Sequence, residues 1–509
     1  MIRAIKGRPF EVGQRQKTLR SVAVASNPSR FSMIRLSKKI VIRLYHSAVA
    51  WSLVFAAIRT GGNLLVLPLM LHKLPAENLG LWYVFLSLAG ISALVDMGFL
   101  ATMSRATSYL WAGAREIRQF GTAATEDSAE DSSPNFSLLA DLSKTMRLYY
   151  LGVGTIITAL MAIFGTAWIA HTTASFPDRQ AILIAWLIFL LGVLINIVNA
   201  VWHPLLTGIN QVRLGQQILI WGLLANYSIT CAGLLAGYGL FAPVTGYLAM
   251  GLVTRVMSRI HFNKLSRAKV YAGSARWSGD LIRTLWPTAW RTGVVTLGIY
   301  ATLHVSTLIC SAYLGLRAAA SFGLSMQLAL AAISIATAFF AVKLPIIAQL
   351  FARGKTREVA GVVFARIRWF WVSYIVLALA AVFFGEPVLR DLFHSKTSLL
   401  PIPVLIGLLV VIGLEGHHAI FREVTVASNQ NPFAMPVVVS GVLIVLLGMV
   451  LVRWIGLWGL VVAPGIVQIC FNNWWTVWVG LRAMGLSGTD YFTGILGIRN
   501  SVETTHSPQ

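Results

Sequence analysis

Apolar runs of twenty or more residues recur along most of the chain, and this feature limits the possible folds more than any other. A helix needs about 20 predominantly apolar residues to cross the hydrocarbon core of a bilayer. Of the 509 residues, 57% are apolar and only 12% are charged, whereas charged residues make up about 25% of typical soluble domains. The sequence therefore predicts a polytopic membrane protein and argues against a water-soluble enzyme.

The apolar runs predict an all-α fold with about twelve transmembrane helices in two six-helix bundles around a central cavity. Helices are expected because lipid leaves unpaired backbone groups unsatisfied, and because the runs lack the alternating pattern of a transmembrane barrel. The predicted spans are residues 47–71, 80–103, 148–170, 181–205, 215–237, 240–257, 289–313, 321–345, 368–386, 399–422, 434–453 and 457–481.

The basic residues are distributed very unevenly between the two sides of these spans. When residues at the ends of spans are counted with the adjoining connection, 34 of the 41 Lys and Arg residues belong to the tails and the even-numbered connections and six to the odd-numbered ones, while Arg59 lies in the middle of a span. Because basic residues favour the cytoplasmic side, both termini are predicted to be cytoplasmic. This topology signal explains the net charge of +23, so no nucleic-acid partner is predicted.

The N-terminal tail, residues 1–46, is basic and holds no apolar core long enough for a cleavable signal peptide. The first span is therefore expected to direct insertion. Residues 1–32 are predicted to be disordered, and Met33 is an alternative start of the native product. From Met33 the segment MIRLSKKIVIRLYHS mixes basic and apolar residues, as expected for a helix on anionic lipid.

A weak internal repeat divides the chain into two halves. Four identities share an offset of 219 residues, pairing Asn210, Gln211, Gly237 and Gly246 with Asn429, Gln430, Gly456 and Gly465. The predicted halves are residues 47–257 and 289–481, joined by a basic cytoplasmic linker, 258–288, and followed by a cytoplasmic tail, 482–509. Six spans per half make the repeat parallel, with a cavity between the halves, as in many carriers.

No cofactor or metal site is predicted. The three cysteines, Cys231, Cys310 and Cys470, lie inside apolar runs, which is not the pattern of a disulfide framework or a thiolate metal site. The segment Gly354-Lys355-Thr356 resembles the end of a phosphate-binding loop, but Gln349 stands where that motif requires glycine. The sequence thus carries no ATPase signature.

Two segments resemble the bacterial polysaccharide flippases, the O-antigen translocase branch of the multidrug, oligosaccharidyl-lipid and polysaccharide (MOP) exporter superfamily. LPLMLHKLPAENLGLWYVFLSLAGISALVDMGFLATMSRA, residues 67–106, is similar to the first helical hairpin of that family. TGINQVRLG, residues 207–215, is similar to its connection between spans 4 and 5. Length, span number and the loop before span 7 agree over most of the chain.

This resemblance implies that the protein is a flippase of the bacterial inner membrane and not an enzyme. The implied substrate is an undecaprenyl-pyrophosphate-linked oligosaccharide, used for surface polysaccharides such as lipopolysaccharide. The implied partners are membrane lipids and a polysaccharide polymerase or chain-length machinery. The alternative within the superfamily is a cation-coupled multidrug or small-molecule exporter. A membrane polymerase or glycosyltransferase is disfavoured, because the longest external connection, 386–398, holds only Glu386 and Asp391 as acidic residues.

Arg59 is the main candidate for substrate binding. It lies at the midpoint of the first span, where a charge is costly and usually faces a protein interior or a wet cavity. A guanidinium binds phosphate oxygens through paired hydrogen bonds and keeps its proton. We expect Arg59 to contact the pyrophosphate. The alternative is a structural role, in which it pairs with a carboxylate such as Asp96 or with backbone carbonyls.

Four further residues are predicted to face the substrate. Asn63 lies one turn after Arg59, and His304 lies in the corresponding part of span 7, where it could bind sugar or carry a proton. Arg255 and Arg291 lie where a cytoplasm-facing cavity would open. Helix-to-helix hydrogen bonding for Asn63, packing for His304 and interfacial snorkelling for the two arginines are the structural alternatives.

Glu415 and His418 in span 10 are the candidates for ion coupling. They are three residues apart on one helix face, so that a carboxylate and an imidazole could exchange a proton, while His417 points about 100° away. A structural network at the helix end is the alternative.

In span 1, the pair Gly61-Gly62 predicts either a bend or close helix packing.

Overall fold

The structure is a computed structural model that describes residues 47–91, 98–117, 133–266, 270, 275–428, 430 and 432–496. Every regular element within these residues is a helix, which confirms the predicted all-α membrane fold. The helices are α1 (Ala48–Lys73), α2 (Ala76–Ala89), α3 (Phe99–Trp111), α4 (Phe136–Thr172), α5 (Arg179–Asn199), α6 (Trp202–Gly208), α7 (Val212–Leu235), α8 (Phe241–Leu265), α9 (Gly279–Leu303), α10 (Val305–Ala341), α11 (Leu344–Ala352), α12 (Thr356–Pro387), α13 (Ile402–Ala427), α14 (Ala434–Ile455), α15 (Leu457–Ala483) and α16 (Gly488–Leu496).

Nine helical stretches within the described residues are long and apolar enough to cross a membrane. One of them, Gly293–Ala352, is 60 residues long and contains a turn at Gly315, so it crosses twice. Span 2 consists of α2 and α3, which lie on either side of residues 92–97, and span 6 is the less apolar helix α8. Several helices begin well before the apolar core, for example α4 and α12, because their polar first turns continue the helix beyond the hydrocarbon.

Gly315 reverses the chain between the seventh and eighth spans. Its φ of 83° lies in the left-handed region, which glycine adopts without the steric cost of a Cβ atom. Both sides of the turn contact α2. Tyr300, before the turn, contacts Ser87, and Leu316, just after it, contacts Gly80, which is nearer the start of α2. The chain therefore approaches one membrane face and returns from it. Gly456, with a φ of 58°, makes the equivalent turn between α14 and α15.

The two ends of the bundle are distinct. We call the end that holds Ala48 and Leu496 the termini face, and the end that holds the Gly315 turn the far face. Within the first half α7 packs on α8 and α1, and α5 on α8; within the second half α9 packs on α14, and α10 on α12. The main contact between the halves is made by α2 with α10.

The two halves are joined at the far face by polar contacts. Arg317 Nε donates to Glu77 Oε1 at 2.5 Å. The backbone N–H of Lys396 donates to the carbonyl of Leu71, the residue two before the end of α1, at 3.1 Å. These bonds connect the turn between spans 1 and 2 with two segments of the second half.

At the termini face, the segment before α9 is bound to α4. Lys144 Nζ donates to the carbonyl of Ala275 at 2.8 Å, and the N–H of Arg276 donates to Asp141 Oδ1 at 2.6 Å. The expected linker, 258–288, therefore has helical ends, since α8 reaches Leu265 and α9 begins at Gly279. Residues 267–269 and 271–274 inside it, the tail 1–46, Asp96 and Asn429 lie outside the described residues.

Candidate functional site

A cavity of about 470 Å³ lies between the two halves. Helices α1, α2, α7 and α8 of the first half line it, together with α9 and α10 of the second. Among the described residues that line the cavity, Arg59 is the only one with a permanent charge, and none is acidic. Uncharged polar side chains complete the wall, among them Asn63, Ser87, Asn226, Thr230, Gln327 and Ser334.

Arg59 is presented by α1, whose cavity-facing surface is not covered by a neighbouring helix. Its side chain is exposed, and its guanidinium carbon lies 5.7 Å from the centroid of the Phe55 ring. Within the described part of the chain no carboxylate is within ion-pair distance of Arg59. Asp96, the partner considered from the sequence, lies outside that part. The structure therefore leaves the cation of Arg59 directed to the cavity and available to an anion.

Tyr227 of α7 holds the middle of α1 in place. Its hydroxyl lies 3.1 Å from the Arg59 carbonyl oxygen and 3.3 Å from Asn63 Oδ1, so its single hydrogen lies within reach of both acceptors. Asn63, which also lines the cavity, is thus engaged in the helix-to-helix bonding that was its structural alternative. The sequence gave no reason to single out Tyr227, because a tyrosine in an apolar span is common.

The two glycines of α1 have different environments. A Cβ atom at Gly62 would overlap the ring of Tyr227, whereas one at Gly61 would meet nothing within 4 Å. Both residues are helical, and α1 runs without a break through Lys73. The structure therefore supports close packing at Gly62, and the helix is unbroken at this pair.

His304 lines the cavity at the junction of α9 and α10. Its ring stacks on Tyr300 with centroids 5.5 Å apart, and the Tyr300 hydroxyl donates to the carbonyl of Ser87 in the first half at 2.9 Å. His304 is therefore both a packed side chain and a cavity residue, adjacent to a contact between the halves.

Tyr83 and Gln327 form a second polar link between the halves within the cavity wall. The Tyr83 hydroxyl donates to Gln327 Oε1 at 2.7 Å. The ring of Tyr83 lies against Gly323, where a Cβ atom would not fit. Helices α2 and α10 can therefore approach closely, because Gly323 has no side chain to overlap the Tyr83 ring.

The two arginines predicted near the cavity entrance are placed less favourably. Arg255 of α8 is half-buried and is not among the residues that line the cavity. The backbone of Arg291 belongs to α9, but its side chain lies outside the described part of the structure. Of the five predicted substrate-binding residues, the structure brings Arg59, Asn63 and His304 together around one cavity.

A polar cluster lies inside the second half, and we call it the Glu415 cluster: Glu415, His417, His418, Gln468 and Asn473. Glu415 Oε1 is 3.6 Å from His418 Nε2, and Gln468 Nε2 donates a short hydrogen bond to Glu415 Oε2. The side chains of Glu415 and His418 are only 13% and 7% exposed. The pairing expected from the helical spacing is therefore present and is shielded from solvent.

The cluster and the central cavity are neighbours. Glu415 lines a cavity of about 10 Å³ whose wall includes Leu303 and Met326, and both of these residues also line the central cavity. Residues shared by the two walls, Leu303 and Met326, therefore separate Glu415 from the central cavity. With His418 and Arg422, Glu415 also lines a second cavity of about 20 Å³.

A π-helical turn at Gln468–Asn472 brings the second helix of the cluster into position. Such turns widen a helix locally and occur frequently at functional sites. Here the turn places Gln468 against Glu415, and the following residue, Asn473, against His417. Three amide side chains, Gln468, Asn472 and Asn473, within an apolar span were the available sequence signal for this part of the cluster.

Within the described residues, no group of three potential metal ligands comes together.

No known family profile and no curated protein matches the sequence. Solved structures match over most of the chain at low identity. An inward-facing MATE family multidrug resistance transporter of the MOP superfamily has a TM-score of 0.64 and 13% identity, covering 87% of this chain and 100% of that one. An outward-facing MATE transporter has a TM-score of 0.54 and 13% identity, with coverages of 88% and 99%.

A further match is a MOP superfamily transporter from Pyrococcus furiosus. Its TM-score is 0.55 at 13% identity, and the match covers 87% of this chain and 98% of that one. For that protein, reverse polarity of the binding pocket is described as suggesting a different function. At such identities the comparisons establish the fold: this chain has the polytopic fold of the MATE transporters of the MOP superfamily.

Proposed function

We propose that the protein is an alternating-access transporter that flips an anionic, lipid-linked oligosaccharide. The proposed substrate is undecaprenyl-pyrophosphate-linked oligosaccharide, moved across the bacterial inner membrane for surface polysaccharide synthesis. The observation that carries this proposal is the central cavity, where Arg59 is the one permanently charged residue among the described lining residues.

The charge of the cavity favours an anion. A cation exporter needs an acidic group in its binding site, and the described lining residues include none. A guanidinium without an acidic partner can instead form paired hydrogen bonds with pyrophosphate oxygens. The neutral wall, with Asn63, Asn226 and Gln327, offers donors and acceptors for sugar hydroxyls. The lipid carrier itself is inferred from the family resemblance of residues 67–106 and 207–215.

The contacts between the halves support alternating access. Arg317–Glu77 and Lys396–Leu71 join the halves at the far face, and Arg59 on α1 is exposed and lines the central cavity. The TM-score is higher for the inward-facing neighbour than for the outward-facing one. We take the termini face as cytoplasmic, on the distribution of Lys and Arg, and propose that the cavity opens to that side, where lipid-linked sugars are made.

Glu415 and His418 are proposed to link transport to an ion. Glu415 lies next to the central cavity, on the other side of Leu303 and Met326. A change of charge at Glu415 would therefore act close to the proposed substrate site. A carboxylate and an imidazole in contact can share a proton or exchange it for a cation.

A cation-coupled multidrug exporter is the second candidate, because the matched solved structures include multidrug resistance MATE transporters. The two candidates differ in the sign of the substrate's charge. The cavity of this chain has a basic residue where such an exporter would need an acid, and this observation supports the flippase over the exporter.

The test is deletion of the gene in its native bacterium, followed by complementation with variants expressed at equal membrane levels. Surface polysaccharide and cytoplasm-facing lipid-linked oligosaccharide are measured together. We expect the deletion to lose polymer and to accumulate the lipid-linked unit. Arg59→Ala should fail to complement and Arg59→Lys should complement in part. Arg255→Ala, an arginine outside the cavity, is the matched control and should complement fully.

Normal polysaccharide in the deletion strain, together with increased sensitivity to toxic cations, would replace the flippase with the exporter. Equal complementation by Arg59→Ala and Arg255→Ala would remove Arg59 from the substrate path. A polymerase or chain-length protein is the proposed partner, and its loss should leave the flipped, unpolymerised unit on the outer leaflet.

A further inference from the structure

Four hydrogen bonds connect the C-terminal helix α16 with Glu415. Tyr491 Oη lies 3.0 Å from His417 Nε2, and His417 Nδ1 lies 3.0 Å from Asn473 Oδ1. Asn473 Nδ2 donates to Gln468 Oε1 at 3.0 Å, and Gln468 Nε2 donates to Glu415 Oε2. The chain thus leads from a helix outside the spans into the membrane interior.

All four bonds point in the same direction. Asn473 Oδ1 only accepts, so His417 Nδ1 carries the hydrogen. In the neutral imidazole Nε2 is then an acceptor, and the Tyr491 hydroxyl donates to it. Each donor is therefore on the α16 side of its bond, and the chain ends on the acceptor-only carboxylate of Glu415. Aligned bonds of this kind polarise and strengthen one another.

Helix α16 is held against the second half by few contacts. Ser487 and Asp490 cap its first turn, since Asp490 Oδ2 accepts from the Ser487 N–H at 2.8 Å. Arg368 Nη1 donates to the carbonyl of Gly494 at 2.7 Å. The Tyr491 ring packs against Phe421 and His417. Tyr491 is thus the residue of α16 that reaches the Glu415 cluster.

We propose that docking of α16 on the second half is controlled by the charge of Glu415. When the added proton sits on Glu415 Oε2, the oxygen that faces Gln468 and not His418, that oxygen becomes a donor and Gln468 turns its own oxygen towards it. Asn473 must then turn as well, and the hydrogen of His417 moves from Nδ1 to Nε2. The Tyr491 hydroxyl then accepts a bond and loses the acceptor for its own hydrogen. Because a half-buried donor without an acceptor is costly, α16 is released more often.

This inference goes beyond the proposed function. It concerns a helix outside the membrane spans, and it depends neither on the substrate nor on which ion is coupled. In this proposal the charge of Glu415 affects the docking of α16 at the termini face, in addition to any effect on the central cavity.

Hydrogen–deuterium exchange of the purified full chain in lipid nanodiscs, without substrate and at constant pH, tests the proposal. Glu415→Gln places a neutral amide in the same volume, and Tyr491→Phe removes the first donor. Loss of one such hydrogen bond is expected to speed exchange of the α16 amides about fivefold. The double variant should exchange no faster than either single variant, since both interrupt the same chain.

Two controls match these substitutions. Glu423→Gln removes a carboxylate two helical turns along α13, and Tyr374→Phe removes a tyrosine donor that bonds to the carbonyl of Leu409. Neither residue belongs to the chain, so α16 exchange should remain that of the wild type. Gln468→Leu should speed exchange of α16 and should abolish any further effect of Glu415→Gln.

Wild-type exchange of α16 in Glu415→Gln, together with faster exchange in Tyr491→Phe, would overturn the proposal, because Tyr491 would then hold the helix without sensing Glu415. Exchange that increases equally in α16 and in α7 of the first half would also overturn it, since the substitution would be loosening the whole protein. The proposed transport function would remain untouched by either result.

Discussion

Arg317 donates a hydrogen bond from Nε to Glu77 Oε1 at 2.5 Å, and this ion pair joins the two halves of the chain at the far face. Glu77 lies in the first turn of α2, and Arg317 follows the Gly315 turn. Two turns at corresponding positions of the halves therefore contact each other. In the alternating-access cycle proposed above, this pair separates when the cavity opens to the far side.

Exchange of the two charges tests the pair. Arg317→Glu or Glu77→Arg alone should increase the open fraction of the far face about two- to fivefold, in line with the modest strength of exposed ion pairs. The combination of both substitutions should restore closure. The measurement is the distance between spin labels at positions 73 and 396, and no recovery in the double variant would exclude a direct role for the pair.

Acid should weaken the same contact. A hydrogen bond from its own backbone N–H and the Arg317 guanidinium hold the pKa of the Glu77 carboxyl below its ordinary value of 4.5. A lowered pKa means that the pair contributes fully above pH 4.5 and is lost as pH falls through the lowered value. The spin-label distance should therefore lengthen only below pH 4.5, as the pH falls through the lowered pKa of Glu77. Glu77→Gln should remove this response, and a response that persists in that variant would exclude Glu77 as its origin.

The two neighbouring glycines of α1 should respond differently to alanine. Gly62→Ala places a methyl group in the ring of Tyr227, and overpacking of this kind costs about 1–3 kcal/mol. Gly61→Ala meets no atom within 4 Å and should be neutral or stabilising by up to about 1 kcal/mol. Thermal unfolding in detergent and complementation of the deletion strain measure both effects. Equal behaviour of the two variants would contradict the described packing of α1 on α7.

Tyr227→Phe should impair transport more than stability. The hydroxyl binds α1 at Arg59 and Asn63, and its loss should cost about 1 kcal/mol while it frees the backbone beneath Arg59. Transport of the lipid-linked substrate by reconstituted protein is the measurement. Tyr247→Phe is the control, because Tyr247 lines the same cavity and its ring stacks on Phe189. Unchanged transport in Tyr227→Phe would show that Arg59 needs no such support.

Gly315→Ala should destabilise the protein by about 1–2 kcal/mol, since its positive φ disfavours any residue with a Cβ atom. Gly361→Ala is the matched change, in an exposed helical position with free space around it, and should stabilise slightly. Unfolding temperatures of the two variants provide the comparison. A stable Gly315→Ala variant would show that the turn can relax to a negative φ.

Much of the fold could be predicted from local patterns. Apolar length alone located the membrane helices, because a segment must satisfy its own backbone in lipid. Some helices, such as α4 and α9, begin about ten residues before the predicted membrane span. Apolar length could not locate these helix ends, since the polar turns of a helix outside the hydrocarbon carry no apolar signal. The pair Glu415 and His418 was accessible from sequence because both lie on one helix, where spacing determines the neighbours.

Contacts between helices far apart in sequence could not be predicted in this way. Tyr227 reaches Arg59 across 168 residues, and Gln468 reaches Glu415 across 53. Nothing in the local sequence of α7 or α15 specifies these partners. The position of Arg255 outside the cavity lining has the same origin, because the rotation of α8 depends on its packing against α5 and α7.

The sequence by itself determined that this chain spans a membrane many times with helices, that basic residues mark one face, and that an arginine lies within the first span. These properties follow from the free energy of moving each residue type from water into lipid, which depends on composition and order alone. The tertiary structure decided that Arg59 faces a cavity shared by both halves. It also decided that a chain of hydrogen bonds connects Tyr491 with Glu415 through His417, Asn473 and Gln468. Those relationships depend on how helices pack against each other, and packing is determined by the shapes of surfaces that meet only in the folded chain.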